Sequence, residues 1–249
     1  MDTLTIVLIV TAVTICLSFY LHFKPAPYGK FTVPTGTFCS MKINSKLAWI
    51  IQECPAFFAS FHILISKWNS LSSITIVGLS LFTIHYFQRS FVFPALIKSN
   101  RLTPIETCIS AFGFCCFNGW LQVRNAIEYD VIVRDNNASL VGLVVFFIGM
   151  FINIVSDAHL RELASQRIKN QYMIPTKGLF RYVSAANYFG EIVEWFGFAL
   201  FLQTPAAAWF SLFSTLFLGQ RGFQTHQFYL KKIDNYPKDR SSVFPFSGF

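Results

Sequence analysis

The sequence predicts an all-α polytopic membrane protein with seven transmembrane helices. Three observations carry that prediction: an excess of apolar residues, seven long apolar segments, and positive charge that alternates between successive connections. Hydrophobic residues fill 53% of the 249 positions and charged residues only 13%, against roughly 25% charged in a typical soluble domain. A soluble fold could not cover so much apolar side chain, including 30 Phe. A bilayer removes the need, because lipid is itself the apolar solvent.

The first segment, Leu4 to Leu21, follows Asp2 with no basic region before it, so it reads as a permanent anchor and not as a cleaved signal. The second runs from Ala48 to Ser66, the third from Leu71 to Phe87 and the fourth from Pro104 to Leu121. The fifth is Leu140 to Val155, the sixth Val183 to Leu202 and the seventh Ala206 to Gly219. A crossing helix takes about 17–25 residues, so the fifth and seventh are short. Lys24 to Phe38, with Pro25, Pro27 and Pro34, reads as an irregular cytosolic loop, as does Arg167 to Tyr182 with Pro175 and Gly178. No repeat, low-complexity tract or linker interrupts the chain, which reads as one membrane-embedded domain over 1–249.

The formal net charge is +8. There is no basic domain, so nucleic acid is not an expected partner. The connections after the first, third and fifth segments, together with the carboxyl-terminal tail, hold 17 of the 20 Lys and Arg. The positive-inside rule then places the amino terminus in the lumen and the carboxyl terminus in the cytosol. Asn137-Ala138-Ser139 is a glycosylation sequon on the outer side, abutting the fifth span. The six Cys form no Cys-x-x-Cys pair, and most lie in apolar runs as small hydrophobes. Neither a disulfide framework nor a metal site is expected.

Ionisable side chains inside a bilayer cost several kcal/mol and need a reason. Here they cluster. The second span holds Gln52-Glu53 before Pro55, and the third ends on His85-Tyr86. Asn153, Asp157 and Arg161 stand four residues apart on one helical face, and Asn187, Glu191 and Glu194 share another. The carboxyl-terminal segment adds Arg221, His226 and Tyr229. These groups read as a polar pocket open to the cytosol. Interhelical hydrogen bonding is the structural alternative, and a Glu-lined ion path is a second. There is no Gly-x-Gly-x-x-Gly and no Walker sequence, so neither dinucleotide nor phosphate cradle of that kind applies.

The run Gly178-Leu179-Phe180-Arg181-Tyr182 through Asn187-Tyr188-Phe189-Gly190-Glu191-Ile192-Val193-Glu194-Trp195 resembles the signature of the steroid 5α-reductases. The tail Arg221…His226-Gln227-Phe228-Tyr229…Tyr236-Pro237-Lys238 resembles that family's carboxyl-terminal motif. Trp49 to Pro55, His85 to Arg89, and Asn153…Asp157…Arg161 resemble its remaining motifs, in the same order. The resemblance implies an endoplasmic reticulum membrane enzyme that reduces the 4,5 double bond of 3-oxo-Δ4 steroids with NADPH. By the same resemblance Tyr86 donates to the 3-oxo group, and Glu53 pairs with the far side of the steroid site and with Tyr86. Asn153, Asp157, Arg161, Tyr172, Asn187, Glu191, Arg221, His226 and Tyr229 hold NADPH. Trp49, Phe114, Phe213 and Phe217 wall the sterol pocket. Residues 1–100 then serve mainly the substrate and 101–249 mainly the cofactor. Met173, Lys177 and Thr225 depart from the family pattern around the cofactor. They leave Arg167, Lys169 and Lys177 as candidates for the 2′-phosphate.

The chemistry suits the residues. Hydride addition to the β-carbon of an enone drives negative charge onto the carbonyl oxygen, and a donor aimed there stabilises the transition state. Tyr86 can donate, and Glu53 is either an acid or an acceptor. Enoyl-CoA and polyprenol reductases are the nearest rival readings. A methyltransferase of the isoprenylcysteine type is disfavoured by the lack of its Arg-His-Pro motif. A non-enzymatic sterol-binding protein is the alternative from another class.

Overall fold

The computed structural model describes residues 1–23, 41–98, 102–132, 134–166 and 173–245. The expected loop Lys24 to Phe38 lies outside them, as do Arg167, Lys169 and Tyr172. The helices are α1 (Thr3–Phe23), α2 (Ser45–Lys67), α3 (Ser73–Phe87), a short α4 (Phe93–Leu96), α5 (Ile105–Glu128), α6 (Asn136–Gln166), α7 (Ala186–Leu202) and α8 (Pro205–Lys232). The all-α expectation holds apart from two three-residue strands. These are β1 (Lys42–Asn44) and β2 (Leu102–Pro104), an antiparallel pair with Ile43 opposite Thr103.

Length and composition alone mark three of these helices as able to cross a membrane, over Thr3–Leu21, Ser45–Ser70 and Asn136–Gln166. The others differ for visible reasons. Helix α3 has 15 residues and α7 has 17. Helix α5 carries Asn118, Gln122, Arg124, Asn125 and Glu128 towards its end. The apolar runs also understate the helices. Helix α6 has 31 residues where the sequence suggests a short span, and α8 continues beyond Gly219 to Lys232. Gln, Arg and Lys sustain a helix as well as most apolar residues do, so hydropathy finds the apolar part and misses the rest. Helix α7 starts at Ala186 and not Val183, because the backbone of 183–185 pairs with the tail.

The contacts divide the chain into two units. The first comprises Met1–Leu8, Ala26–Ser139 and Phe201–Ala207. Within it α2 and α5 run side by side so closely that a Cβ on Gly119 would meet the Ala56 Cα at 2.9 Å. Small residues at a helix crossing permit such backbone approach. Pro55 has no N–H to offer the Ile51 carbonyl one turn back, and the Cys54 thiol donates to that oxygen instead at 3.6 Å. Beyond α3 the chain widens into a π turn over Gln88–Val92, with the Phe93 N–H reaching back to the Gln88 carbonyl. Pro94, whose ring would crowd the carbonyl four residues earlier, accounts for the widening. Such turns gather at functional sites, and this one directly follows His85-Tyr86.

At the far end of α3, Ser72 caps the helix and donates its amide and hydroxyl to Asp130, the hydroxyl at 2.6 Å. Arg134 ties the adjoining connections through the Leu202 carbonyl at 2.8 Å and the Tyr129 carbonyl at 2.9 Å. Ser139 of the sequon lies in the first turn of α6, buried, donating to the Phe201 carbonyl at 3.0 Å.

The second unit comprises Ile9–Pro25, Leu140–Leu200 and Ala208–Phe249. Its centre is the α6–α7 crossing. A Cβ on Gly149 would lie 2.2 Å from the Glu194 nitrogen, one on Gly190 2.5 Å from the Asn153 nitrogen, and one on Gly197 2.3 Å from the Phe146 nitrogen. Trp195 fills the space towards α8, its ring 4.3 Å from that of Phe210. The tail is strapped to the start of α7 by the Ser184 amide on the Ser241 carbonyl and the Ala185 amide on the Ser242 carbonyl. Arg240 fastens it further, donating to the Pro175 carbonyl at 2.8 Å.

Candidate active site

In the first unit, α2 presents Glu53 half-buried and α3 presents Tyr86 buried. Helix α5 reaches both. The Cys115 thiol donates to Glu53 Oε2 at 3.5 Å, and Asn118, one turn on, donates its amide to Tyr86 Oη at 3.2 Å. Gln52 Nε2 faces the other Glu53 oxygen at 3.4 Å. Residues 115 and 118 share a face because they are three apart on a helix. One element therefore contacts both side chains that the resemblance makes catalytic. Trp49, one turn before Glu53, lies under the Arg89 guanidinium at 5.3 Å and packs edge-on to Phe93. Phe114 precedes Cys115 and is half-buried.

Asn118 continues into a ladder. Gln122 Nε2 donates to Asn118 Oδ1 at 3.2 Å and to the Ala206 carbonyl at 2.9 Å, while Asn125 Oδ1 accepts the Ala206 amide at 2.8 Å. None of Cys115, Asn118, Gln122 or Asn125 was singled out by sequence reasoning. The signal was present: the amides stand at i, i+4 and i+7, the same spacing that flagged Asn187, Glu191 and Glu194.

In the second unit the expected polar faces of α6 and α7 meet. Asn153 donates to the Asn187 carbonyl at 3.0 Å and to Glu191 Oε2 at 3.3 Å, and Asn187 donates to Asp157 Oδ1 at 3.2 Å. Arg161 follows one turn after Asp157, half-buried. Arg221 on α8 is buried and donates to the hydroxyl of Tyr188, a residue the sequence reading passed over. One turn beyond Arg221, Thr225 Oγ1 is buried with no hydrogen-bond partner among the described residues. Phe213 and Phe217 stack on successive turns of α8, their centroids 5.6 Å apart and planes within 8°. Tyr229 packs on the Tyr236 ring at 5.4 Å. Of the candidates for a 2′-phosphate, Lys177 pairs with Glu162 at 2.7 Å on the surface, which holds that carboxyl below its usual range.

His226 has a structural setting. Its Nδ1 lies 2.6 Å from Ser184 Oγ, which also lies 2.7 Å from Tyr236 Oη. Burial holds the imidazole below its ordinary 6.5. The unfolded chain therefore binds more protons than the folded one below about pH 6.5, so stability is complete above that pH and falls as pH drops through it. Melting in detergent between pH 7.5 and 5 is expected to show this decline. A His226→Gln chain should show a flatter profile, and an equal slope would remove His226 as its source.

Among the described residues, no three His, Cys, Asp or Glu group together as a metal site. The fold and the two polar clusters define a helical protein of membrane type, with acid, amide and guanidinium groups drawn into apolar helices. Comparison with known sequences gives the family. The family model described as 3-oxo-5-alpha-steroid 4-dehydrogenase matches residues 101–247. The human 3-oxo-5-alpha-steroid 4-dehydrogenase 2 is 41% identical over 231 residues, 90% of this chain and 88% of its own length. The rat 3-oxo-5-alpha-steroid 4-dehydrogenase 1 is 38% identical over 228 residues, covering 89% and 86%. The pig 3-oxo-5-alpha-steroid 4-dehydrogenase 2 is 39% identical over 227, covering 90% and 88%. The chain belongs to the 3-oxo-5-alpha-steroid 4-dehydrogenase family.

Proposed function

We propose that this chain reduces the 4,5 double bond of 3-oxo-Δ4 steroids to 5α-reduced 3-oxo steroids, using NADPH, as a seven-span protein of the endoplasmic reticulum membrane. The observation that carries the reading is the placement of Glu53 and Tyr86 against one face of α5, in a chain that matches its relatives over nine-tenths of its length. The lumenal amino terminus and cytosolic carboxyl terminus rest on the charge alternation.

The second cluster suits a nicotinamide dinucleotide. Asn153 and Asn187 offer amides, Asp157 and Glu191 offer carboxylates for hydroxyl groups, and buried Arg221 suits a phosphate. The unpartnered Thr225 hydroxyl points to a missing polar neighbour. Arg161, Tyr229 and His226 border the same motifs, the last mainly as a brace for Ser184. Tyr172 belongs to the set by resemblance alone. NADPH, when bound, supplies the hydride.

The residues of this chain do the rest. Trp49 and Phe114 in the first unit, and Phe213 and Phe217 in the second, each supply flat apolar surface of the kind a fused-ring steroid buries. Tyr86 donates to the 3-oxo oxygen, and this hydrogen bond strengthens as the enolate charge grows there. Gln52 and Cys115 each donate to the Glu53 carboxyl and hold it in place, as an acid or an acceptor within the steroid site. Hydride addition at C5 would push the electron pair of the double bond onto the 3-oxo oxygen as an enolate, which the Tyr86 hydrogen bond would stabilise, and a proton from water would complete the reduction at C4. Glu53→Gln keeps the shape and removes the acid. It is expected to lower turnover on the order of 10²-fold while NADPH still binds by fluorescence titration. Full activity in that variant would take Glu53 out of the substrate site.

A further inference from the structure

We propose that Asn118 and Gln122 are positioning residues that hold the Tyr86 oxygen as an acceptor from Asn118, so that the phenol keeps its proton from that amide and can donate it to the substrate oxygen. The inference rests on the role of Tyr86 proposed above and adds how that role is enforced. A phenol can donate or accept. Beside a buried amide it could equally give its proton to the amide oxygen, leaving none for a substrate.

The chain of bonds removes that choice. It begins at the Ala206 carbonyl, a backbone oxygen that can only accept. The Gln122 atom 2.9 Å from it is therefore Nε2. The same nitrogen lies 3.2 Å from an Asn118 atom, which must then be Oδ1. That leaves Asn118 Nδ2 at the other end, 3.2 Å from Tyr86 Oη, and makes the phenol oxygen the acceptor of this bond. What an amide faces decides which way round it lies, and here the decision is passed from a peptide carbonyl through two side chains. Asn125 braces the origin by accepting the Ala206 N–H. All of Asn118, Gln122 and Asn125 are buried, at most 1% exposed, so bulk solvent does not reach the ladder. Hydrogen bonds in such a chain polarise one another, and an N–H given to Oη makes the Tyr86 O–H a stronger donor.

The test has two arms. In the first, the chain is made with ring-labelled tyrosine, and its infrared spectrum is taken against Tyr86→Phe, with no steroid present. The phenol C–O mode distinguishes an oxygen that accepts from one that only donates. The wild type should show an accepting oxygen, and the signature should vanish in Asn118→Leu. A wild-type phenol that only donates would overturn the relay. The wild-type spectrum suffices even where a variant does not fold.

The second arm is a double-mutant cycle. Asn118→Leu, and Gln122→Met as a second probe, should lower kcat for a 3-oxo-Δ4 steroid by about 10–10²-fold. Affinities for NADPH and steroid should stay within about threefold. In a Tyr86→Phe background each should cost less than about threefold, since effects on one shared contact do not add. An equal loss in both backgrounds would mean that Asn118 acts through packing and would overturn the proposal. Absence of steroid turnover in the wild type would instead overturn the proposed function, with the infrared arm still deciding the relay.

Discussion

Tyr86→Phe is expected to lower steroid turnover by about 10²–10³-fold while leaving NADPH affinity unchanged. The variant removes one oxygen. The aromatic packing of the ring remains, 4.7 Å from Phe82 and 5.1 Å from His85, and the lost bond from Asn118 to Oη should cost about 1–3 kcal/mol of stability without unfolding the chain. The loss should appear in kcat more than in KM, because the bond to the 3-oxo oxygen is strongest once that oxygen carries the enolate charge. Steady-state kinetics in reconstituted membranes would measure it. Retention of more than a tenth of the activity would mean that the carbonyl is polarised by some other group.

Gly149→Ala is expected to destabilise the fold by about 3 kcal/mol or more and to abolish cofactor binding. The added methyl would stand 2.2 Å from the Glu194 nitrogen and 2.6 Å from its Cα. Those are backbone atoms of α7, so no side chain can swing aside to make room. Relief requires α6 and α7 to separate, and their separation pulls Asn153 and Asp157 from Asn187 and Glu191. Gly190→Ala and Gly197→Ala meet equally hard neighbours and should behave alike. Gly113→Ala is the control, since a methyl there meets nothing within 4 Å and gains about 0.5–1 kcal/mol of helix propensity. Thermal melting in detergent would rank the four. A melting temperature for Gly149→Ala equal to that of Gly113→Ala would show that the crossing is looser than described.

Much of this was legible in the sequence. The helices announce themselves as apolar runs, and the polar residues that pair across α6 and α7 stand at i and i+4 on each helix. Hydropathy failed where a helix leaves its apolar portion, as α6 does near Ser156 and α8 does past Gly219. Cys115 looked like a small hydrophobe, and only the fold places its thiol against Glu53. Asn118 and Gln122 were hidden for a related reason. Asn118 sits near the end of a run that stops, by hydropathy, at Leu121, and Gln122 lies just past it, so they looked like the edge of a span. Which glycines carry a helix crossing is likewise invisible in one sequence, since Gly113 and Gly149 differ only in what lies opposite. The tail strap depends on contacts between Tyr182 to Ala185 and Ser241 to Ser242, too distant in the chain for any local pattern.

The central claim is that this chain adds two hydrogens across a steroid enone. The most direct measurement incubates membranes containing it with progesterone or testosterone, NADPH and NADH being supplied separately, and follows product by mass. A product two hydrogens heavier with NADPH, and lost in Tyr86→Phe, is the predicted result. No reduced steroid from membranes whose protein binds NADPH would contradict the claim and direct the search to other lipid alkenes.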